Sequence, residues 1–267
     1  MLRDKRLLIT GVATTDSIAY AVAERALLMG AHVTLAAPPR DFERCREVAD
    51  LLPRGAHAVC ADLTKDEDLD RLRGHLSCAY GTVDGALHAA AFAPAAALDG
   101  PMTAAGQEAI ELAFRTSTWS LAGLARAVAP LFPAGGGSLV GLTFHSDGAW
   151  PTYNWMGVCK AALEATNRYL ARDLGASGGR ANLVAAGPLH TRAAGGIPGF
   201  DLLLDAWAER AALTWDAHDA GPVADAVTFL LSDLARAITG EVLHVDGGFH
   251  AMAAAPVHAV SRIGAVA

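Results

Sequence analysis

Short apolar runs alternate along the chain with longer segments that carry apolar residues at helical spacing. The apolar runs, most of which end at a small or polar residue, cover residues 6–10, 31–36, 56–61, 83–90, 138–143, 180–186 and 241–245. The helical segments between them cover residues 17–29, 40–52, 65–80, 103–131, 151–174 and 219–231. Strands that alternate with helices form a parallel sheet covered on both faces. The pattern therefore predicts an α/β fold, a doubly wound (Rossmann) domain with a parallel sheet of about seven strands.

The alternation extends over most of the chain without a linker or an internal repeat. A length of 267 residues is ordinary for one α/β domain with a large sheet. We expect this domain over residues 1–252, followed at 253–267 by an Ala-rich tail that frays or lies on a neighbouring subunit. The long helix at residues 103–131 is expected to kink near Gly123.

Composition and charge narrow the classes of function. More than half of the residues are apolar, the net charge is −7, and no cluster of Lys and Arg is present, which argues against nucleic-acid binding. The scattered cysteines lack metal-ligand spacing and indicate a reducing compartment without structural zinc; they are Cys45, Cys60, Cys78 and Cys159. The chain enters a strand at once, and its longest apolar stretch, 86–98, is too short to cross a bilayer. We therefore expect a cytoplasmic protein without membrane contact.

Candidate chemistry is concentrated at residues 143–160, which leave the fifth apolar run and enter a helix expected to begin near residue 151. Tyr153 and Lys160 are seven positions apart, almost two helical turns, so both side chains are predicted on one helix face. A phenol beside a fixed cation can donate a hydrogen bond or a proton. In isolation, such a pair is more often two surface residues of an amphipathic helix.

The first strand, turn and helix, at residues 6–29, form the expected site for a dinucleotide pyrophosphate. Backbone N–H groups and the helix dipole favour an anion there. The glycine signal is weak, because Thr15 and Ser17 follow Gly11 where a glycine-rich pattern has two further glycines. The alternative interpretation is a helix that is only capped, by Asp16 or by Ser17.

Two positions concern the adenosine half of such a cofactor. Asp62 follows the third apolar run and either accepts a hydrogen bond from the adenine amino group or caps the next helix. No acidic residue occurs at residues 36–40, where an acceptor for the ribose 2′-hydroxyl usually stands. Arg40 either contacts a 2′-phosphate or opens a helix. These residues leave the choice between NADH and NADPH open.

Several separated motifs occur in a recognisable order, at residues 9–11 with 17–19, 133–144, 150–157, 160–164, 182–189, 230–233 and 244–248. Together they resemble the enoyl-[acyl-carrier-protein] reductases, a divergent branch of the short-chain dehydrogenase/reductases, and the actinobacterial forms most of all. The resemblance covers about residues 3–252. The turn from Gly11 to Ser17 is this branch's variant of the glycine motif, and its wide spacing of Tyr153 and Lys160 is also typical of the branch.

The resemblance implies an oxidoreductase that reduces the C2–C3 double bond of an enoyl thioester with NADH, NADPH being the alternative cofactor. The thioester would be carried by acyl carrier protein or coenzyme A, in fatty-acid or specialised acyl-chain biosynthesis, and the enzyme would be a homotetramer. Tyr153 would stabilise the enolate oxygen, Lys160 would hold the nicotinamide ribose, and Phe144 would flank the thioester. The implied cofactor-binding residues are Gly11, Ser17, Ile18, Asp62, Leu63, Ala89, Ala91, Lys160, Gly187, Pro188, Leu189 and Thr191.

The chain departs from the family pattern beside the expected site. Ala90 stands where the family has a bulkier residue, and His145 stands where it usually has Asp. His145 is expected to be an exposed turn histidine, or else an imidazole that titrates near neutral pH. The loop at residues 192–200 is short compared with that of the mycobacterial long-chain enzymes. We expect a changed pocket that takes a shorter acyl chain or is more open.

Two alternatives to enoyl reduction remain from the sequence. The first is a carbonyl reductase or dehydrogenase on the same fold, but Gly157 and Val140 stand where such an enzyme carries its lysine and its serine. The second is a catalytically impaired NAD-binding paralogue that acts as a partner or sensor. The retained Phe144, Tyr153 and Lys160 argue against this second alternative.

Overall fold

The computed structural model describes residues 1–256, which fold around one parallel sheet. Its strands are β1 Arg6–Thr10, β2 His32–Ala37, β3 His57–Cys60, β4 Gly85–His88, β5 Ser138–Thr143, β6 Arg180–Ala186 and β7 Val242–Val245. Their order across the sheet is β3-β2-β1-β4-β5-β6-β7, and every neighbouring pair is parallel. The predicted doubly wound α/β fold, with its seven strands, is confirmed.

Helices cover both faces of this sheet. They are α1 Ile18–Leu28, α2 Phe42–Ala49, α3 Asp66–Tyr80, α4 Gln107–Phe114, α5 Ser120–Val128, α6 Asn154–Gly175, α7 Asp201–Arg210 and α8 Gly221–Leu231. Leu7 and Ile9 of β1 pack in the layer of α1, α2 and α8, whereas Leu8 packs in the layer of α3, α5 and α6. Successive side chains of a strand point to opposite faces, so a strand buried on both sides has to be apolar throughout.

A third apolar cluster lies away from the two helix layers. Most of its members come from segments that follow β5, from α6 and α7, and from the turn after β7: Phe144, Tyr153, Met156, Cys159, Leu203, Trp207 and Phe249. Trp207 and Phe249 are almost completely buried. This cluster lies at the carboxyl ends of the strands and forms one wall of the cavity described below.

The predicted long helix at residues 103–131 is interrupted, and the interruption is not at Gly123. The segment is divided into α4 and α5 by a π-helical turn, Arg115–Trp119. Side chains of this turn bond to other segments: the Ser117 hydroxyl donates to Phe92 O, and the Thr118 hydroxyl donates to Cys159 O at 2.9 Å. Gly123 lies inside regular α5, where a Cβ atom would come within 3.0 Å of a backbone oxygen of the neighbouring loop. Gly123 therefore allows α5 to pack closely against that loop.

The helix that carries Lys160 begins later than predicted. It starts at Asn154, so Tyr153 lies just before the first turn and not within the helix. Thr152 and Asn154 have positive φ angles of 56° and 21°, which are incompatible with a regular helix through this segment. The other predicted strands and helices agree with the structure to within a few residues.

The predicted Ala-rich tail lies outside the described residues from residue 257 onward. Among residues 1–256, no helix combines the length and the apolar character that a membrane span requires.

Candidate active site

A cavity of about 1040 Å³ opens at the carboxyl ends of the strands. β2 and β4 flank β1 on opposite sides, so the connections that leave β1 and β4 diverge and create a crevice. The predicted site residues all line this cavity; they are Gly11, Ser17, Ile18, Asp62, Leu63, Ala89, Ala91, Phe144, Tyr153, Lys160, Gly187, Pro188, Leu189 and Thr191. We refer below to the part around Gly11, Ser17 and Asp62 as the glycine end. The part around Phe144, Tyr153 and Lys160 is the tyrosine end.

Gly11 allows two strands to approach closely at the glycine end. It has a φ of +82°, and a Cβ atom there would lie 2.3 Å from the backbone oxygen of Ala89, which follows β4. The Thr10 hydroxyl donates to Leu87 O at 2.9 Å and accepts from Ala89 N at 3.1 Å, which ties the ends of β1 and β4 together. Gly11 alone therefore permits the close approach of the two backbone segments, although the sequence pattern contains only this one glycine.

The turn after Gly11 presents the start of α1 to the cavity. Ser17 caps this helix: its hydroxyl oxygen accepts from Tyr20 N at 3.1 Å and donates to Thr14 O at 2.8 Å. Ser17 and Ile18 also line the cavity, so the capping interpretation and a place in the site are compatible. A glycine-narrowed turn and a helix N-terminus beside a crevice of this size fit the pyrophosphate of a dinucleotide.

Asp62 is not a helix cap. Its carboxylate accepts from the backbone N and the hydroxyl of Thr64, at 2.9 and 2.7 Å. Lys65 occupies the cap position of α3. The backbone N of Asp62 donates to the carboxylate of Asp68 at 2.8 Å. These bonds hold Asp62 and Leu63 against the cavity, in the place where the sequence predicted an adenine contact.

Sequence reasoning missed Asp41, which also lines the glycine end. It closes the short 3-10 turn Pro39–Asp41 that follows β2. Its carboxylate pairs with Arg40 and, across the cavity, with Arg192 in the loop after β6. Asp41 lies one position beyond residues 36–40, where an acceptor for the ribose 2′-hydroxyl usually stands. Its partner Arg192 belongs to a distant loop, and no local sequence pattern predicts that contact.

The tyrosine end brings together three predicted residues from both sides of the turn after β5. The rings of Phe144 and Tyr153 lie 5.2 Å apart, and both side chains are buried. Lys160 lies almost two helical turns into α6 and donates from Nζ to Leu142 O at 3.0 Å. Although Tyr153 precedes the helix, it shares the cavity with Lys160 as the spacing predicted.

Burial shifts the pKa values of both ionisable side chains at the tyrosine end, Tyr153 and Lys160. Desolvation, with a smaller contribution from Cys159, raises the pKa of Tyr153, so the phenol keeps its proton at neutral pH. Desolvation lowers the pKa of Lys160 to about 8, although the nearby Cys159 and Glu164 oppose this change. The site therefore combines a reliable hydrogen-bond donor with an ammonium group that titrates close to neutrality.

A wall of aromatic rings backs Phe144. The Trp207 ring lies 5.3 Å from Phe144 and stacks on Phe249 at 3.9 Å, and Trp150 contacts the same rings. The Trp207 Nε1 donates to Asp246 O at 3.0 Å, so its polar edge is satisfied. The sequence pointed to Phe144 as a site residue, whereas Trp207 and Phe249 come from distant segments.

His145 is half-buried, so the expectation of an exposed turn histidine is wrong. Its ring lies 5.5 Å from that of His244 and 6.4 Å from that of His250, while its backbone oxygen accepts from Trp150 Nε1 at 2.7 Å. The His244 and His250 rings stack at 3.9 Å. We call His145, His244 and His250 the histidine cluster; it lies behind the aromatic wall and does not line the cavity. Within residues 1–256, no group of three or more His, Cys, Asp or Glu is arranged to hold a metal ion.

The segment after β6 closes the cavity from the opposite side. A Cβ atom on Gly187 would come within 2.8 Å of Trp207 and Trp215. The Trp215 Nε1 donates to Pro188 O at 2.7 Å, which fixes the backbone that leads to Leu189 and Thr191.

Comparison with known proteins adds to this geometry. A family model described as enoyl-(acyl carrier protein) reductase matches residues 11–250. The chain belongs to this family. The NADH-type enoyl-[acyl-carrier-protein] reductase of Mycolicibacterium smegmatis is 38% identical over 93% of this chain and 97% of its own length. The corresponding NADH-type reductase of Aquifex aeolicus is 38% identical over 94% of this chain and 93% of its own length. An NADPH-type enoyl-[acyl-carrier-protein] reductase from Staphylococcus aureus is 36% identical over 94% of this chain and 98% of its own length.

Two positions bear on the alternative of carbonyl reduction within this wider fold. Val140 is an apolar, fully buried residue of β5 and supplies no hydroxyl. Gly157 supplies no amine, and a Cβ atom there would lie 3.8 Å from the Tyr153 ring. Membership of the enoyl reductase family and these two residues both argue against carbonyl reduction.

Proposed function

We propose that the protein reduces the C2–C3 double bond of an enoyl thioester with NADH, in fatty-acid or specialised acyl-chain biosynthesis. The observation that carries this proposal is the convergence of Phe144, Tyr153 and Lys160 on one end of a cavity whose other end fits a dinucleotide. Both halves of such a reaction therefore have a place in the same crevice. Membership of the enoyl reductase family supports the assignment.

Tyr153 acts on the thioester oxygen. When bound, NADH supplies the hydride that is transferred to C3 of the substrate. Negative charge then develops on the thioester oxygen, and a preorganised donor aimed at that oxygen stabilises the transition state. A proton taken up from water at C2 completes the reduction. Because burial raises the pKa of Tyr153, its hydroxyl remains protonated and can donate this hydrogen bond.

Lys160 holds the hydroxyl groups of the nicotinamide ribose and keeps the tyrosine end electropositive. Its Nζ uses one of three N–H donors on Leu142 O, which fixes the ammonium at the cavity wall and leaves two donors. The lowered pKa of about 8 predicts that this role weakens in mildly alkaline solution.

The acyl chain lies among apolar side chains beside Phe144. Those that line the cavity there include Leu98, Leu112, Met156, Ile197, Phe200 and Leu203. The small Ala90 widens this part of the cavity, and the short loop after Thr191 supports the expectation of a shorter or less enclosed chain. Acyl carrier protein or coenzyme A as the carrier, a homotetrameric assembly and a cytoplasmic location are further parts of the proposal that come from family resemblance.

Reduced-nicotinamide absorbance tests the proposal directly. The protein is mixed with NADH and crotonyl thioester, presented on coenzyme A and on acyl carrier protein, and with a ketone in a parallel reaction. Oxidation of NADH with crotonyl thioester and not with the ketone is expected. Oxidation only with the ketone would replace enoyl reduction by carbonyl reduction, and cofactor binding without turnover on either substrate would indicate an impaired paralogue.

A further inference from the structure

A second, small cavity lies at the opposite edge of the sheet from the active-site cavity. It has a volume of about 80 Å³ and lies where β1, β4, β5 and β6 begin, at their amino ends. No residue in the described part of the chain lines both cavities. Since a buried water needs roughly 10–15 Å³, this volume has room for an ion of about five heavy atoms. We call this cavity the amino-end pocket.

Backbone turns form part of the wall of the amino-end pocket. Residues 135–137, which lead into β5, are three consecutive glycines, and Gly178 lies in the turn before β6. Gly136 has a φ of +85°, and a Cβ atom there would lie 2.0 Å from Gly178 O, so the two turns approach closely. Among residues 1–256, the N–H groups of Gly135 and Gly137 donate to no backbone oxygen. Successive N–H groups in turns of this kind form concavities that bind anions.

Arg180, the first residue of β6, supplies a guanidinium group to this pocket. Its Nη2 donates to Ser232 O at 3.1 Å, whereas its Nη1 is buried and has no hydrogen-bond partner within residues 1–256. Desolvation lowers the pKa of Arg180, although Asp233 opposes this change, and the guanidinium remains charged at neutral pH. Buried polar groups are almost always paired, so this charged donor indicates an acceptor from outside the protein.

Positive charge exceeds negative charge around the amino-end pocket. The charged residues that line it are Lys5, Asp84, Arg180, Asp233 and Arg236. Both carboxylates already have cationic partners: Arg6 Nε donates to Asp84 at 2.8 Å, and Lys5 Nζ donates to Asp233 at 2.8 Å. Within the described residues, Arg180 and Arg236 form no ion pair. Two guanidinium groups are therefore left to attract an anion.

We infer that the amino-end pocket binds a tetrahedral oxyanion of the size of phosphate, held by Arg180, Arg236 and the glycine turn at residues 135–137. Guanidinium groups present planar pairs of donors that match the oxygens of a phosphate. The anion supplies the acceptor that Arg180 Nη1 lacks within the protein. Its partners belong to the turns before β5 and β6 and to the segment after α8, so the anion joins three segments of the folded chain and stabilises it. The inference does not depend on the proposed function.

Calorimetric titration of the full-length protein with inorganic phosphate tests the inference, and glycerol 3-phosphate is titrated in parallel. Thermal unfolding is followed in the same solutions and in sodium chloride of equal ionic strength. We expect phosphate to bind and to raise the Tm above its value in sodium chloride, because the anion binds only the folded chain. A response to phosphate alone identifies the free ion as the ligand, whereas a response to both compounds shows that the pocket also takes the phosphate group of an ester.

Saturating NADH separates this pocket from the active-site cavity, whose glycine end also favours anions. Phosphate binding should persist with NADH present, because no described residue lines both cavities. Displacement of phosphate by NADH would place the anion in the active-site cavity and overturn the inference. A failure of NADH to bind would contradict the proposed function, and the variants below would then decide the inference alone.

Arg180→Gln and Arg236→Gln identify the residues responsible. Each is expected to raise the Kd of phosphate about tenfold or more, because a hydrogen bond between charged groups is lost. Arg236 is exposed, so Arg236→Gln should fold normally and tests the pocket even where Arg180→Gln does not fold. Arg172→Gln is the matched control and should leave the Kd unchanged, since Arg172 is exposed, pairs with Asp173 and does not line the pocket.

Two results would overturn the inference and leave the proposed function intact. The first is a response to phosphate that does not exceed the response to sodium chloride, which would show that the pocket holds only water. The second is a Kd of phosphate that stays unchanged in both variants, or in Arg236→Gln alone where Arg180→Gln does not fold. Phosphate binding that persists with NADH and is weakened by these variants but not by Arg172→Gln supports the amino-end pocket as the anion site.

Discussion

The two ends of the cavity are formed by different kinds of chemical group. The glycine end consists of backbone turns, small residues such as Gly11 and Ala89, and charged side chains that remain partly exposed. The tyrosine end consists of stacked aromatic rings and ionisable groups, Tyr153 and Lys160, that are removed from water. The properties of the glycine end should therefore depend on salt concentration and backbone geometry, whereas those of the tyrosine end should depend on side-chain packing and desolvation.

Replacement of Trp207 should have the largest effect on stability. Trp207 is 1% exposed and packs between Phe144 and Phe249, so Trp207→Ala leaves a cavity in the aromatic wall. A loss of about 3–5 kcal/mol in the free energy of unfolding is expected, measured by chemical denaturation. The control Trp119→Ala removes a ring that is 36% exposed and should cost much less. Equal losses in the two variants would contradict the packed tyrosine end.

Tyr153→Phe tests whether the tyrosine end acts on the transition state. It removes one hydroxyl while keeping the ring that packs on Phe144. Turnover should fall about 10²–10³-fold, because a donor to the developing oxyanion is lost, with little change in the Kd of NADH. Tyr169→Phe in α6 is the control, since Tyr169 is 63% exposed. Full activity of Tyr153→Phe on crotonyl thioester would remove the assigned role.

Gly11→Ala tests the backbone origin of the glycine end. The φ of +82° and the 2.3 Å approach to Ala89 O leave no room for a Cβ atom. We expect a loss of about 1–3 kcal/mol in unfolding free energy and a weaker affinity for NADH, measured by denaturation and by fluorescence titration. The control is Gly135→Ala, where a Cβ atom meets no neighbour within 4 Å. Unchanged NADH affinity in Gly11→Ala would argue against a dinucleotide at this turn.

Acid should weaken the tyrosine end slightly through the histidine cluster. Desolvation, and then the neighbouring His250, lower the pKa of His244, while Asp246 and Asp147 oppose this and His145 reinforces it. The unfolded chain therefore takes up a proton at His244 more readily than the folded protein does. This contribution to stability is complete above the ordinary histidine pKa and decreases as the pH falls through it.

The contribution of His244 to the acid effect is expected to be less than about 1 kcal/mol, because its side chain is only half-buried. The buried His88, whose pKa desolvation lowers to about 3, adds a further acid effect that is common to the wild-type protein and the variants below. Unfolding free energies at mildly acidic and mildly alkaline pH measure it. His244→Gln should reduce the pH dependence, whereas His32→Gln, at an exposed position of β2, should leave it unchanged. An unaltered pH dependence in His244→Gln would show that the cluster does not titrate as inferred.

Local pattern predicted most of the fold and many residues that line the site. Continuous apolar runs located all seven strands, because the five central strands are largely buried on both faces and the edge strands β3 and β7 are partly covered. The spacing of Tyr153 and Lys160 predicted that they share one face, and both line the cavity even though Tyr153 lies outside the helix. The π-helical turn Arg115–Trp119 was not predictable, since hydrogen bonds to distant segments accompany it.

By itself, the sequence determined the order of strands and helices, and with them the edge of the sheet where a ligand can bind, because these features depend on periodicity along the chain. Only the tertiary structure decided which distant side chains meet there. Arg192 reaches Asp41 across 151 positions, and Trp207 and Phe249 complete the wall behind Phe144. Such contacts follow from how the loops pack above the sheet, and no short-range pattern records that packing. His145 shows the same limit, since its half-buried place beside His244 follows from the pairing of β5, β6 and β7.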